Sequence, residues 1–250
     1  MRRTCVALLA LAACLMAHAA HGAHRVVGAL SPHHDVAGAL IDRLYARLGE
    51  EAPRPARVVV IGPDHFGRAK GNIVIGASDL RGRGGSVRGD EEGASRLAGV
   101  VRRQDDVARQ DHCILEHVPR IRATFGDVPV LSVIVSSRAT DLQILQVGRA
   151  LSGLLRDGGV VILSMDLSHY KARAASDAED ARSLDALLAF RIHELGELDI
   201  DCPRGARLFL KLMRSLGDTK ATLLERGNSS DVLRDATRTT GWATALFVAP

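Results

Sequence analysis

Histidine and acidic side chains follow three apolar runs of the sequence, at the point where each run ends. These residues are His33, His34 and Asp35 after VVGAL, Asp64 and His65 after VVVIG, and Asp166 and His169 after VVILS. Imidazoles and carboxylates bind transition metals and carry protons in active sites. One histidine in a loop is usually a surface residue, but three at equivalent positions favour a functional site.

The elements around these residues are predicted to bring them together. Apolar runs of strand length alternate along the chain with stretches that carry apolar residues at helical spacing. Continuous apolar strands separated by helices are typical of a central, mostly parallel or mixed sheet with helices on both faces. Ligands bind such sheets outside the carboxyl ends of the strands. We therefore expect a single α/β domain in which the three clusters meet.

Some local predictions concern the segments between the strands. The stretch DLRGRGGSVRGD, residues 79–90, is predicted to be a flexible, glycine-rich loop. Helices are predicted over residues 91–103, 112–125 and 176–196, where apolar residues recur at helical spacing.

The overall composition is that of a globular protein. The chain has 250 residues, of which 46% are hydrophobic and 25% charged, which is enough for one domain with a large core. Aromatic residues make up only 3%, so the stacking surfaces that bind single-stranded nucleic acid are scarce. Basic residues are mostly interspersed with acidic ones. We therefore expect no nucleic-acid partner.

Residues 1–23 have the pattern of a signal peptide. A basic start, MRRT, precedes the apolar stretch CVALLALAACLMA and the small residues AHAAHGA. This predicts an exported, periplasmic protein whose mature domain is residues 24–250. The alternative is a lipid anchor at Cys14, since LAAC resembles a lipoprotein processing box. Membrane association is expected only through the signal or such an anchor.

Two cysteines, Cys113 and Cys202, remain in the mature chain. In an oxidising compartment they could form a disulfide, or they could be one buried thiol and one functional thiolate. Cys202 precedes Pro203, and proline favours the first position of a helix. The helix dipole would then stabilise a thiolate at the N-cap. The alternative is a small buried apolar side chain.

Six motifs occur in an order that resembles the Memo family, also called AmmeMemoRadiSam system protein B. They are SPHHDVAG, IGPDHFG, DHCILEHVP, LSMDLSHY, CPRG and TTGWATALF, and together they extend from about residue 26 to residue 248. The resemblance implies the fold of the class III extradiol dioxygenases, which is a single α/β domain. It also implies a metal site formed by residues from several of these motifs.

The site residues that the resemblance implies differ in role. They are the metal ligands His33, His65 and Cys202 and the catalytic residues His112, Asp166 and His169. His34 and Asp35 depart from the family pattern, which has Ala-Gly at these positions, and are additional ligand candidates beside His33. Two imidazoles and a thiolate suit Fe(II), and alternatively Cu or Zn. His169 would act as a general acid or base.

Carboxylates are also expected to orient the ligating histidines, with Asp35, Asp64 and Asp166 as candidates. His117 and His193 are expected to lie outside the site. Phe66, Leu115 and Pro203 depart from the family pattern, and the first two make the pocket less polar.

Three functions are consistent with these residues. The first is an iron- or copper-dependent oxidoreductase related to the extradiol dioxygenases. The alternative is a non-catalytic module that binds a peptide, small ligand or partner protein on the same fold. A zinc hydrolase is the third, although the sequence lacks an HExxH signature. The family name also implies a radical SAM partner, which an exported protein would not meet directly.

Overall fold

The computed structural model describes residues 25–52 and 54–250; the predicted signal peptide, with Cys14, lies outside these ranges. The strands are β1 (Arg25–Ser31), β2 (Arg57–Pro63), β3 (Ile73–Gly76), β4 (Leu80–Gly82), β5 (Gly85–Val87), β6 (Arg102–Arg103), β7 (Val130–Val135), β8 (Gly159–Ser164), β9 (His169–Lys171), β10 (Lys220–Asn228) and β11 (Thr239–Ala249). The helices are α1 (Gly38–Glu51), α2 (Glu91–Arg96), α3 (Asp105–Ala108), α4 (His112–Leu115), α5 (Val118–Phe125), α6 (Asp141–Leu155), α7 (Arg173–Leu188), α8 (Pro203–Ser215) and α9 (Ser230–Leu233), with 3₁₀ turns at Asp35–Ala37 and Leu195–Glu197.

A mixed sheet forms the centre of the molecule. Its strand order is β10-β11-β1-β8-β2-β7-β3-β6, and β9 pairs with β11. The middle strands β1, β8, β2 and β7 are parallel, whereas β11 and β3 run antiparallel to them on either side. The predicted α/β fold with a mostly parallel or mixed sheet is confirmed. Because β1, β8 and β2 are parallel neighbours, their carboxyl ends lie side by side.

Helices cover both faces of this sheet. Val58 and Val60 of β2 pack into the core under α1 and α5, while Val59 and Ile61 pack into the core under α6 and α8. This alternation buries every residue of β2, as expected for a central parallel strand. No helix in the described ranges has both the length and the apolar character that a bilayer crossing requires.

The glycine-rich segment 79–90 is a hairpin, so the prediction of a flexible loop was wrong. Strands β4 and β5 pair antiparallel, with Gly82 opposite Gly85. The two-residue turn between them is possible because Gly84 adopts a positive φ of 85°. Leu80 and Val87 are buried and anchor the hairpin to the domain.

Three helices are shorter than predicted. Helix α2 ends at Arg96, and the short strand β6 follows it. Helices α4 and α5 are separate because Pro119, at the start of α5, has no backbone N–H with which to continue α4. Helix α7 ends at Leu188, just before Phe190 takes a left-handed conformation with a φ of 56°.

Candidate metal centre

Histidines from the ends of β1 and β2 meet at one edge of the sheet. The ring centroids of His33, which follows β1, and His65, which follows β2, are 4.9 Å apart. His34 lies 5.3 Å from His33 and 6.2 Å from His169, which follows β8. The structure thus brings together the clusters that the sequence places after three separate strands.

His112 completes a group of three imidazoles with His33 and His65. Each of the three offers a ring nitrogen, and these nitrogens all lie within 4.8 Å of one another. His112 begins α4, which packs closely on β2 because Gly62 leaves room for the Cys113 side chain. A Cβ atom at position 62 would lie 2.5 Å from the Cys113 sulfur.

A buried carboxylate, Asp111, orients His65. The Nδ1–H of His65 donates to Oδ1 of Asp111 over 2.7 Å, and the His65 backbone N–H donates to Oδ2 over 3.3 Å. Asp111 also caps α4 by accepting a hydrogen bond from the backbone of Cys113. Burial raises the Asp111 pKa, but the bonds from His65 and Cys113 outweigh this effect and keep the pKa low. Because Nδ1 of the neutral His65 ring carries the proton that Asp111 accepts, the lone pair is on Nε2, where it can bind a metal ion.

His33 is fully buried and faces oxygen atoms from both ring nitrogens. Its Nδ1 lies 3.2 Å from Oγ of Ser164, and because that hydroxyl donates to the Cys113 carbonyl, Nδ1–H is the donor. Its Nε2 lies 3.1 Å from Oδ2 of Asp201 and 3.8 Å from Oδ2 of Asp166. Burial lowers the His33 pKa, but the two carboxylates outweigh it and raise the pKa to about 9.

A second buried histidine, His117, forms a hydrogen bond with Ser164. Its Nε2 lies 3.0 Å from Oγ of Ser164, and its Nδ1 lies 3.1 Å from the hydroxyl of Tyr45. Tyr45 O–H donates to Nδ1, so His117 Nε2–H donates to Ser164. Burial lowers the His117 pKa to about 3 and raises that of Tyr45. His117 is outside the metal cluster, as expected, and it is a buried residue held by its two hydrogen-bond partners.

Asp166 connects three of the histidines. Its Oδ2 accepts a hydrogen bond from Nδ1 of His34, which raises the His34 pKa, and its Oδ1 accepts one from the His33 backbone. Burial raises the Asp166 pKa, but the neighbouring histidines lower it overall. His169 donates Nδ1–H to the Leu167 carbonyl, and its Nε2 lies 4.0 Å from Oδ2 of Asp166.

Cys202 occupies the N-cap of α8, but its sulfur does not join His33 and His65. It belongs to none of the groups of three such ligand atoms within 4.8 Å of one another in the described residues. The sulfur instead packs against Gly205 in the first turn of α8. Burial raises the Cys202 pKa well above its ordinary value, so a thiol is favoured over a thiolate. The arrangement differs from the one implied by the resemblance.

Other expected residues lie at the edge of the site. Cys113 and Cys202 are both buried free thiols. Asp64 accepts hydrogen bonds from the backbone of Arg68 and Ala69 and so stabilises the loop after β2, not a site histidine. Asp35 is exposed and lines the cleft above the histidines.

Sequence reasoning missed Asp111, Asp201, Ser164 and the His117–Tyr45 pair. Only Asp111 had a local signal, because an aspartate directly before a helical pattern is a favoured N-cap.

A cleft of about 970 Å³ opens above the imidazoles of His33, His34 and His112. The rest of its lining comes from the hairpin, α1, α4 and α5, and includes Arg81, Arg83, Asp42, Leu115, Glu116 and Arg120. Arg120 is paired with Asp42 and Glu116. Phe66 is 53% exposed beside His65 and His112. A small organic molecule fits a cleft of this size.

Comparisons with known proteins agree on one family. The family model described as "Memo-like protein" matches residues 8–246. A "MEMO1 family protein" of Ignicoccus hospitalis is 27% identical over 239 residues, which cover 90% of this chain and 83% of that protein. Another, from Methanosarcina acetivorans, is 26% identical over 88% of this chain and 85% of its own length.

A solved structure also shares the fold. The crystal structure of the uncharacterised protein JW3007 from Escherichia coli K12 superposes with a TM-score of 0.57. The match covers 90% of this chain and all of that one, at 15% identity, and so supports the fold alone.

Proposed function

Because this chain belongs to the Memo-like family, we propose that it is a metal-dependent oxidoreductase that acts on a small organic substrate in the cleft above the imidazoles. The observation that carries this proposal is the convergence of three ring nitrogens, from His33, His65 and His112, within 4.8 Å of one another. Imidazoles at this separation repel each other when they are protonated, but they bind a shared metal ion well when they are neutral.

The residues fit a bound transition metal. Nε2 of His33 is buried and has no hydrogen-bond partner among the described residues, and Nε2 of His65 is freed by the bond from Nδ1 to Asp111. Imidazoles supported by buried oxygens suit Fe(II), with Cu and Zn as the other candidates. When bound, a redox-active ion supplies the electron-transfer chemistry that side chains lack.

The protein's own part in the reaction is to bind, orient and move protons. His112 and His169 both have imidazoles near the cleft, with side chains 43% and 21% exposed. The His169 imidazole can exchange a proton with a substrate hydroxyl, and His112 can do so when it is not bound to the ion. Asp166 holds His34 and faces His169, so it positions both rings.

Metal analysis by mass spectrometry, on protein purified from its native compartment, tests the proposal. We expect about one transition metal ion per chain, and loss of this ion in His33→Ala and His65→Ala. His193→Ala is the matched control, because the His193 side chain is 82% exposed and belongs to none of the groups of neighbouring ligand atoms in the described residues. Absence of a stoichiometric metal in the unsubstituted protein would overturn the proposal.

Oxygen uptake with a panel of small phenolic substrates separates catalysis from binding. Turnover that depends on His169 supports the oxidoreductase. A metal-loaded protein that binds ligands without turnover would instead support the non-catalytic module, which the exposed ring of Phe66 and the apolar Leu115 in the cleft favour. Zinc as the resident ion, with hydrolysis, would support the third candidate.

We also propose that the protein is exported, on the strength of the signal-like pattern of residues 1–23. Residues 1–24 fused to a reporter that is active only outside the cytoplasm should give activity. A silent fusion contradicts export. It would also restore the possibility of direct contact with a cytoplasmic radical SAM partner.

A further inference from the structure

We propose that the substrate of the cleft carries a carboxylate, which Arg81 and Arg83 of the hairpin β4–β5 bind while the rest of the molecule faces the imidazoles. Both arginines line the same cleft as His33, His34 and His112. The inference rests on the proposed function for the presence of a substrate at this site, and it adds the chemical class of that substrate.

The hairpin is a basic segment of the sequence to which the metal centre gives no role. Residues 80–88 include three arginines, Arg81, Arg83 and Arg88, and no acidic residue. Arg88 has Asp127 within 3.8 Å and does not line the cleft. Arg81 and Arg83 are therefore the two cations of the hairpin that a molecule in the cleft can reach.

The charges of Arg81 and Arg83 are not compensated by the protein. Both residues are exposed, and neither has an ion-pair partner among the residues that the structure describes. The third arginine of the cleft, Arg120, differs from them because Asp42 and Glu116 both pair with it. The hairpin side of the cleft therefore has two unpaired positive charges, which favour an anionic ligand.

Acidic residues near the hairpin are engaged elsewhere. Asp79 and Glu91 border a neighbouring recess with Arg81. Glu91, however, is paired with Arg103, and Asp79 accepts a backbone hydrogen bond. Asp35 also lines the cleft, but it belongs to the loop of the histidines and not to the hairpin. The two arginines can therefore bind an anion that enters from solvent.

The hairpin is packed firmly, so the backbone of both arginines is in place before a ligand binds. Leu80 and Val87 are buried. A Cβ atom at Gly82 would lie 3.0 Å from Cβ of Val118 and 3.1 Å from the Leu115 carbonyl oxygen. Strand β4 therefore packs directly against α4 and α5. Binding costs less conformational entropy when the binding groups are held on such a fixed ribbon.

A carboxylate suits this side of the cleft better than a phosphate. The planar guanidinium fork matches the two oxygens of a carboxylate. Phosphate sites commonly add backbone N–H groups from the first turn of a helix. Here Asp111 already caps α4, and Pro119 in the first turn of α5 has no N–H. A cleft of about 970 Å³ can hold a small acid between the arginines and the imidazoles.

Calorimetric titration of the full-length protein with matched pairs of probes tests the inference. The acids are para-hydroxybenzoate, para-hydroxyphenylacetate and para-hydroxyphenylpropanoate, and each is compared with the uncharged alcohol of the same length. We expect at least one acid to bind about 10-fold more tightly than its alcohol, because hydrogen bonds between charged groups are stronger than neutral ones. Equal binding of acids and alcohols, or no binding of any acid, would overturn the inference.

Variants of the hairpin identify the residues responsible. Arg81→Gln and Arg83→Gln should each weaken binding of that acid by about 10-fold and leave the alcohol unchanged. Arg83→Lys, which keeps the charge but not the fork, should recover part of the affinity. Arg102→Gln is the matched control, because Arg102 is also exposed and without an ion pair within the described ranges, but does not line the cleft. An equal loss in Arg102→Gln would reveal a general charge effect and contradict the inference. Circular dichroism checks that each variant folds.

The outcomes separate this inference from the proposed function. If the protein holds a metal ion but does not prefer acids to alcohols, this inference fails alone. If the protein holds no metal but binds acids through Arg81 and Arg83, the oxidoreductase fails, and the arginines define the ligand class of the non-catalytic module.

Discussion

His65 and His33 each use Nδ1 to bond a buried oxygen, the carboxylate of Asp111 in one case and the hydroxyl of Ser164 in the other. The bond at Nδ1 determines what Nε2 can do, because a neutral imidazole has one donor and one acceptor nitrogen. In the neutral rings both bonds leave Nε2 with its lone pair directed away from the supporting oxygen. His33, whose pKa is raised to about 9, must therefore lose a proton when it binds the ion. Residues that never touch the ion therefore decide whether the ligands are ready for it.

Replacing Asp111 by asparagine should weaken metal binding by about 10- to 100-fold, since the charged acceptor that orients His65 is lost. Asp64→Asn is the matched control: it lies next to His65 in sequence but bonds only the backbone of Arg68 and Ala69. Isothermal titration with Fe(II) under anaerobic conditions, or with Co(II), measures both affinities. Equal losses in the two variants would contradict the assigned role of Asp111.

His117 should make the protein sensitive to acid. Burial lowers its folded-state pKa to about 3, below the ordinary value of 6.5. Below pH 6.5 this histidine is therefore protonated in the unfolded chain but stays neutral in the folded chain. The free energy of unfolding falls as the pH falls. From pH 7 to pH 5 this effect is about 2 kcal/mol. Urea unfolding of the native protein and His117→Gln at both pH values measures it. The glutamine variant should lose about 2 kcal/mol less than the native protein, and equal losses would count against this explanation.

The sequence predicted the site residues that directly follow a strand, and it did not predict those whose positions depend on helix packing. His33, His65 and His169 come directly after apolar runs, so the direction of the strands alone places them at one edge. Asp111 and Asp201 precede helices, and their positions depend on how those helices pack. For Cys202 the sequence left open both a thiolate stabilised by the helix dipole and a buried apolar side chain, and burial favours the thiol.

At the scale of elements, the position of α4 on β2 decides whether His112 can join the other imidazoles. The contact is close because β2 has a glycine, Gly62, where α4 presents Cys113. Strand β1 has a similar close contact with α8, since a Cβ atom at Gly28 would lie 2.9 Å from the Phe209 ring. Continuous apolar strands and helical spacing predicted the sheet and its covering helices. The hairpin β4–β5 was missed because its alternating apolar anchors are only Leu80 and Val87.

Gly62→Ala should destabilise the fold by about 1 to 3 kcal/mol, because the new methyl group forces Cys113 and α4 away from β2. The same shift moves Asp111 and His112, so metal affinity should fall as well. Gly153→Ala is the control, since Gly153 lies in α6 with no atom near its Cβ position. That variant should gain up to about 1 kcal/mol. Thermal unfolding and Co(II) titration give the two readouts, and an unchanged metal affinity in Gly62→Ala would argue against this role for α4.

At the scale of the whole molecule, the candidate centre joins segments from His33 to Asp201 that meet only when the sheet and both helical layers are assembled. An unfolded chain cannot hold these ligands together, so metal should bind the folded state alone. At a free metal concentration of 100 times Kd, this linkage adds about 2.7 kcal/mol to the free energy of unfolding. For a domain of this size the melting temperature should rise by about 5 to 10 °C.

Scanning calorimetry with and without Fe(II), under anaerobic conditions, measures this shift. His193→Ala should show the full increase, because His193 is an exposed residue outside the cluster. His33→Ala should show little or none, because His33 belongs both to the imidazole group and to the pair with Asp201. An equal increase in the two variants would mean that the ion acts at some other place on the protein. If the melting temperature rises only in proteins that retain His33, then the ion stabilises the whole fold by binding at this one edge of the sheet.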